Sequence, residues 1–390
     1  MGGLKIFLNK KYFGVALPFI INSLMMSTWL LYTPYTLGKL GITESQLGYA
    51  FFSMALGAVT SLSFSTKLIH DYGEGRYTFF STLGYILVII FAVLMTSLSQ
   101  LCILLFFAGA FAGSMDVGMN ALVAHIEKVE DKRLLSACHG FWSIGFFIGA
   151  SLGSVLLFYL DSPFVHMFLM ATIAIVLHLA FFTPLRQERT NDKIVEAPGK
   201  RRFQNKTLLG FAVIGLMVMM SEGVVMDWST LYMSQEIKVP ELFIGYGLGM
   251  FSLFMAVGRF MMDPISDTYG SKFIVQGGLI VMVLGVVLVL AGTLFSALFG
   301  FAMIGFGVSG ILPEIYRLSS KVEGVNACDG VATVAGTGYI GFLIGPIFIG
   351  YIVDGYGYPV IFMLVALLTI LALFMTKVAF QKKIPRKLLD

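Results

Sequence analysis

Twelve separate stretches of about twenty or more mostly apolar residues follow one another along this chain, and that pattern constrains its fold more than any other feature. They run roughly over residues 12–35, 46–69, 77–97, 101–124, 134–158, 163–183, 207–233, 241–262, 273–293, 295–317, 329–352 and 358–378. Each has the length an α-helix needs to cross the hydrocarbon of a bilayer, where backbone polar groups must be satisfied within the segment. With 57% hydrophobic and only 12% charged residues, the chain lies far from soluble domains, in which about a quarter of residues are charged. A water-soluble fold is excluded. Lys5, Lys10 and Lys11 precede the first stretch as in a secretory leader, but the stretch is too long and lacks a small-residue cleavage site, so it reads as a membrane helix.

Charge sets an expected orientation. With both termini in the cytoplasm, every Lys and Arg except Lys39 and Lys238 falls on the cytoplasmic side or at a cytoplasmic helix end, as the positive-inside rule requires. Scattered through short loops, these bases suit a bilayer rather than a nucleic-acid partner. The one sizeable loop follows the sixth helix and carries Arg186, Arg189, Lys193, Lys200, Arg201 and Arg202. The expected division is therefore a six-helix half over 1–183, a cytoplasmic linker over 184–206, a second half over 207–378 and a tail over 379–390.

An internal repeat supports two halves. A constant shift of 197 residues carries Tyr35 onto Tyr232, Gly48 onto Gly245, Tyr49 onto Tyr246 and Gly73 onto Gly270, and a shift of 196 carries Gly145 and Gly149 onto Gly341 and Gly345. Parallel halves of this kind place a substrate site between them near the bilayer midplane. The glycine repeats let helix backbones approach closely and rock.

Three acids lie deep in apolar helices, where a charge costs about 2.5–3.5 kcal/mol on insertion scales. Asp116 stands about fifteen residues into the fourth helix, roughly 22 Å at 1.5 Å per residue, with no base near it in sequence. Asn120 follows at i+4 on the same face and can bond the carboxyl or a substrate hydroxyl. Low dielectric favours the neutral form of an acid, so Asp116 can load and release a proton as a cavity opens to either side; the other reading is a structural carboxyl fixed by neighbouring helices. Glu222 and Asp227 of the seventh helix are five residues apart, about 140° around the axis, and so cannot serve one face. Glu222 is the better cavity residue by depth, while Asp227, nearer the outside, reads as either a gate or a substrate contact.

In the first helix Asn22, Met26, Trp29 and Thr33 form one stripe, suited to a cavity wall. Apolar ring faces with a few hydrogen-bonding groups suit a sugar, making Asn22, Trp29, Asn120 and Trp142 a candidate substrate set; Trp29 and Trp228 read equally as aromatics facing headgroups. His139, which shares a face with Trp142 and Phe146, reads as a boundary anchor. Glu314 and Arg317 are spaced to pair with each other. Cys102, Cys138 and Cys328 show no metal-ligand or redox spacing. No phosphate-binding loop, nucleophile-plus-base set or metal cluster is evident, so neither ATP-driven pumping, an enzyme nor a metal site is expected.

Twelve helices as six plus six, with both ends inside and a long middle loop, resemble the major facilitator superfamily over the whole chain. Asp263-Pro264-Ile265-Ser266-Asp267-Thr268-Tyr269-Gly270-Ser271-Lys272, after the eighth helix, is similar to the loop motif with which that family braces its halves. Arg259, Asp263, Asp267 and Lys272 are the implied gating residues. In the copy after the second helix His70 replaces the Asp, although Gly73 and Arg76 remain. Gly113 to Ala121 resembles the acid-x-x-x-Asn pattern of the fucose permease branch, which implies Asp116 as the protonation site. Glu222 to Tyr232 and Gly338 to Pro346 are similar to signatures of uncharacterised inner-membrane permeases allied to that branch.

The expectation is therefore an all-α polytopic protein of the plasma (inner) membrane. It carries a small polar solute such as a sugar by alternating access with proton symport, and works as a monomer without a cofactor beyond the proton gradient. Asp116 and Glu222 are the proton-coupling candidates, with Asn22, Trp29, Asn120, Trp142 and Asp227 at the substrate. A proton-driven exporter of amphipathic compounds and a non-transporting membrane sensor are the rival readings.

Overall fold

The computed structural model describes residues 7–132, 134–189 and 205–380, with the backbone alone at Asp263 and Cys328. Twelve helices among them are long and apolar enough to cross a membrane, and no strand occurs among the described residues. They are Lys10–Leu30, Glu44–Tyr72, Glu74–Leu94, Leu98–Glu130, Leu135–Tyr159, Pro163–Gln187, Lys206–Glu236, Glu241–Met262, Ser271–Leu290, Leu294–Ser319, Asp329–Tyr356 and Tyr358–Ala379, numbered below as spans one to twelve. Large apolar side chains such as Phe107, Phe299, Leu284 and Leu367 remain exposed on their outer faces. Exposed apolar surface on this scale is stable only against lipid. Most of the expected linker lies outside the described residues.

The helices stop where local chemistry forces them to. The first stretch breaks at Leu30, and Pro34 enters the first turn of a short helix, Thr33–Leu40, a position where a missing N–H costs nothing. The expected loop at Asp263–Tyr269 is instead helical: the eighth helix runs from Tyr246 to Tyr269 and ends on Gly270 at φ +82°. Gly73, its partner in the repeat, ends the second span in the same way at φ +86°. Both backbones sit in the left-handed region that glycine adopts without a Cβ penalty, which is why the repeat preserves them. The tenth stretch divides at Ser309–Gly310 into Leu294–Val308 and Ile311–Ser319. The seventh ends in a π-turn at Tyr232–Glu236.

Packing repeats with a period of six helices. Span one packs on five and six, two on four, and three on four; seven packs on eleven and twelve, eight on ten, and nine on ten. The two halves meet through span five on eight and span eleven on two, which are equivalent crossings. Thr33 Oγ1 lies 3.2 Å from Thr230 Oγ1, a separation of 197 residues in sequence. A residue that touches its own repeat-mate must lie near the pseudo-twofold axis, as in any isologous contact.

The bundle has two distinct faces. The basic face carries the start of span one and the ion pairs of Lys11 with Glu130 (2.7 Å) and Glu188 (3.2 Å). At the far face the halves are closed. Asp354 accepts the backbone N–H groups of Glu44 (3.0 Å) and Ser45 (3.1 Å), Tyr358 donates to Glu44 Oε1 (2.9 Å), and Tyr49 bonds Tyr351 through their hydroxyls. Gly48 lies against the Pro346 carbonyl and Gly245 against that of Ala150, equivalent crossings where only hydrogen fits between backbones. One layer deeper, Phe51 sits edge-on between Trp29 (5.6 Å) and Trp228 (5.9 Å). Towards the basic face Gly336 of span eleven has no neighbour within 4 Å of a Cβ position, which leaves a cleft beside it, while span five stays against span eight where Gly140 faces Phe260.

Candidate functional site

The middle of this cleft holds one connected polar network drawn from both halves. Span four carries Asp116 on its inward face, and Asn120, one turn on, donates from Nδ2 to Asp116 Oδ1 at 3.1 Å and to the Asp116 carbonyl at 2.8 Å. Asn120 Oδ1 is then free to accept, and His139 Nε2 of span five lies 3.2 Å from it. Because an amide oxygen can only accept, this contact places the His139 proton on Nε2. Asp116 Oδ2 has no partner among the described residues, and the residue keeps partial exposure.

The network crosses to the other half at the turn of span five that carries His139. Arg259 of span eight donates through Nη1 to the His139 carbonyl (3.0 Å) and to Ser143 Oγ (2.8 Å), and its guanidinium lies 5.9 Å from the Trp142 ring. Trp142 Nε1 donates to Asn22 Oδ1 at 3.0 Å, and Asn22 Nδ2 reaches Met115 Sδ at 3.8 Å. Glu222 of span seven is only 7% exposed and lies within electrostatic reach of Arg259. Tyr339 of span eleven is 47% exposed. Four helical faces read separately in sequence thus converge on one site.

The structure joins Asp116 to Asn120 and Asn22 to Trp142 by hydrogen bonds, the two pairs meeting through Arg259 at His139 and Trp142, with Glu222 within electrostatic reach of Arg259. Trp29 stands apart: it is fully buried in the far-face layer and its Nε1 lacks a partner. Trp228 is equally buried, so neither faces headgroups. Asp227 lies on another face of span seven, in a recess against span eleven. His139, read in sequence as an anchor, is a full member of the network; the signal for it was its shared face with Trp142 together with the unfilled bonding capacity of Asn120.

The brace residues divide. Arg259 reaches across the inter-half boundary, whereas Asp267 and Lys272 are exposed and form no ion pair among the described residues; the side chain of Asp263 lies outside them. Arg317 occupies the turn after span eight instead, pairing with Glu314 (2.6 Å) and bonding Ser266 and Ser271. The expected Glu314–Arg317 pair thus also ties span ten to the junction of eight and nine.

The site offers hydrogen-bond donors and acceptors, aromatic faces and an acid without a paired cation among the described residues. No group of three or more His, Cys, Asp or Glu that could hold a metal ion occurs among the described residues. The sequence profile of the Major Facilitator Superfamily matches residues 7–226 and 211–389. The chain belongs to the Major Facilitator Superfamily. It is a multi-pass membrane transporter, as its twelve spans and inter-half cleft imply. An uncharacterised transporter of this superfamily from Yersinia pestis is 25% identical over 359 residues, covering 90% of this chain and 91% of its own. An uncharacterised transporter from Sinorhizobium fredii is 26% identical over 369 residues, covering 94% and 98%. Membrane protein MosC of Rhizobium meliloti is 29% identical over 348 residues, covering 88% and 84%. Among solved structures, the nucleoside transporter NupG superposes with a TM-score of 0.72 over 95% of this chain and 100% of its own. At 15% identity that likeness concerns the fold alone.

Proposed function

We propose that this transporter takes up a small, polar, uncharged solute in symport with a proton, with Asp116 as the proton-carrying group. The basic face is cytoplasmic on this reading, by the distribution of Lys and Arg, and the conformation described is open to the cytoplasm. The observation that carries the proposal is the directed chain from His139 Nε2 through Asn120 to Asp116 Oδ1. It fixes one carboxyl oxygen and leaves the other free, without a cation among the described residues to hold the charge. Such an acid takes a proton when the cleft is dry and gives it up when the cleft fills with water. A sugar is the solute class that best matches the lining, because Trp142 offers a ring face while Asn22, Asn120 and Asp116 offer bonding groups around it.

Alternating access follows from the crossings. The halves rock against each other at the five–eight and two–eleven crossings, closing the basic face as the far face opens and parts Thr33 from Thr230. Arg259, whose bonds to span five are made across the boundary, reports the relative position of the halves to Glu222 and, through His139 and Asn120, to Asp116.

Proteoliposomes with a pH gradient of either sign test the direction and the coupling together. Accumulation of labelled sugars only when the far-side compartment is the more acidic supports symport. Accumulation of amphipathic cations against the opposite gradient replaces it with export. Solute binding without counterflow replaces it with a sensor.

A further inference from the structure

Away from the cleft, the outer wall of the first half carries a groove that the transport site does not use. It lies between spans three and four near the far face, has a volume of about 650 Å³, and is lined by Val88 and Met95 of span three and by Gln100, Ile103, Phe107 and Phe111 of span four. The helix of span three stops at Ile89 and resumes only as a 3-10 turn over Ala92–Leu94, and this unwound end leaves one side of span four uncovered. The groove closes at its inner end where the Phe111 ring rests on Gly84, at which an added Cβ would lie 2.4 Å from the ring. Ile103 and Phe107 are 61% and 52% exposed. Asp116, nine residues after Phe107, projects about 180° away on the same helix. The groove therefore opens towards lipid, on the opposite side of span four from the site.

Polar groups gather only at its mouth. Gln100 Oε1 accepts from the Thr96 backbone N–H (3.1 Å) and hydroxyl (3.0 Å), while its Nε2 has no partner among the described residues. Lys39 Nζ donates to the Val93 carbonyl at 2.8 Å, on the unwound turn between Val88 and Met95, and lies 5.9 Å from the Tyr35 ring. An ammonium has three N–H groups to place, and Lys39 forms no ion pair among the described residues. Among those residues it is also the sole Lys or Arg at the far end of its half.

We infer that this groove is the seat of one anionic phospholipid of the far-side leaflet, with an acyl chain laid between spans three and four and the headgroup phosphate held by Lys39 and Gln100. Length supports the chain. Gln100 to Phe111 is a rise of about 16 Å at 1.5 Å per residue, against about 15 Å for half the hydrocarbon core of a bilayer. A chain in the groove thus runs from headgroup level to the midplane, where Phe111 on Gly84 stops it. An apolar gap at this depth has no water to fill it, and its lining offers a polar solute nothing to bond. Charge supports the headgroup, since a cation without an ion pair and a free amide donor stand together where phosphate oxygens lie. The bound lipid ties the short helix Thr33–Leu40, whose first residue makes the contact with Thr230 of the other half, to the outer wall of the helix that bears Asp116. None of this depends on proton coupling or on which solute is carried.

Quenching of tryptophan fluorescence by brominated lipids, in the full-length protein reconstituted into bilayers, reads the groove directly. Phe107→Trp puts a reporter in the groove, and Phe299→Trp puts a control on the exposed outer face of span ten. Trp29 and Trp228 are buried, and the unsubstituted protein supplies the baseline. The bilayers mix phosphatidylglycerol with phosphatidylcholine of the same chain length, with bromine on the chains of one lipid and then of the other. Phe107→Trp is expected to favour phosphatidylglycerol about fivefold, the worth of one cation at the membrane surface, and Phe299→Trp to show a ratio near one. Adding Lys39→Gln should bring the groove reporter to the control ratio, whereas Lys39→Arg should keep the preference. Equal ratios at the two reporters overturn the site. A preference that survives Lys39→Gln overturns the headgroup contact, and quenching at Phe299→Trp with none at Phe107→Trp overturns the lipid in favour of a second copy of the chain. Should Phe107→Trp fail to fold, Ile103→Trp gives the same readout.

Discussion

Replacing Gly48 by alanine should push the far face open. An added Cβ would lie 2.5 Å from the Pro346 carbonyl oxygen, 3.2 Å from its carbon and 3.3 Å from the Ile347 Cα. An ordinary carbon–oxygen contact is about 3.4 Å or more, so spans two and eleven must separate by roughly 0.9 Å at this point, and both neighbours are backbone that cannot swing aside. Overpacking of this kind costs about 1–3 kcal/mol. Alanine gains up to about 1 kcal/mol of helix propensity over glycine, but it gains that in both conformations, and the propensity term cancels. Crowding exists only when the far face is closed, so the equilibrium should move towards the far-open state by about 5- to 150-fold. The assay is the rate at which an impermeant maleimide labels a cysteine introduced at Thr230, which is fully buried in the closed face, in a background lacking Cys102, Cys138 and Cys328. Gly245→Ala, with its Cβ position 2.3 Å from the Ala150 carbonyl oxygen, should act in the same direction at the equivalent crossing. Gly336→Ala, which meets nothing within 4 Å, should leave the rate unchanged. Equal labelling of native and Gly48→Ala proteins would refute the reasoning, as would a matching increase in Gly336→Ala.

Three further substitutions separate the gate from the scaffold and the site. Gly57→Ala brings a Cβ to 1.9 Å from the Phe106 carbonyl oxygen within one half, and should lower thermal stability by about 1–3 kcal/mol without raising Thr230 labelling; a thermal melt in detergent checks this. Asp354→Asn keeps one acceptor for the two N–H groups at Glu44 and Ser45, losing about 1–2 kcal/mol and speeding far-face labelling by roughly tenfold. His139→Ala removes the donor that orients Asn120 and should reduce proton-driven uptake while sparing labelling at the far face; His139→Gln, which keeps a donor, should restore part of it, as transport assays in proteoliposomes would show.

Much of this architecture was legible from residue order because a bilayer leaves so few solutions. Stretch length and the repeat identify twelve spans in two halves, and Gly48, Gly245, Gly73 and Gly270 stand out for reasons the structure makes physical: two are crossings without room for a Cβ and two are left-handed turns. Asp116, Asn120 and Asn22 stand out in the sequence because polar groups are rare at that depth. What helical periodicity does not provide is the neighbour that a face meets. Arg259 reads as part of a local motif with Asp263, four residues on, yet its guanidinium turns to a helix 120 residues away in sequence. Trp29 shares a stripe with Asn22, but the break after Leu30 and the inward lean of Phe51 carry it into the seal. Span boundaries moved wherever a turn residue rather than hydrophobicity set the end, as at Gly270.

The central claim is that Asp116 carries the transported proton, and substrate-free proton binding tests it most directly. Native protein and Asp116→Asn, purified in the same detergent, are titrated between about pH 5 and 9 against buffer. The account predicts that Asp116→Asn binds one proton fewer per chain over that range and that sugar no longer alters its proton uptake. Coincident curves, with sugar-linked uptake intact in the variant, would make Asp116 a structural carboxyl and contradict the account.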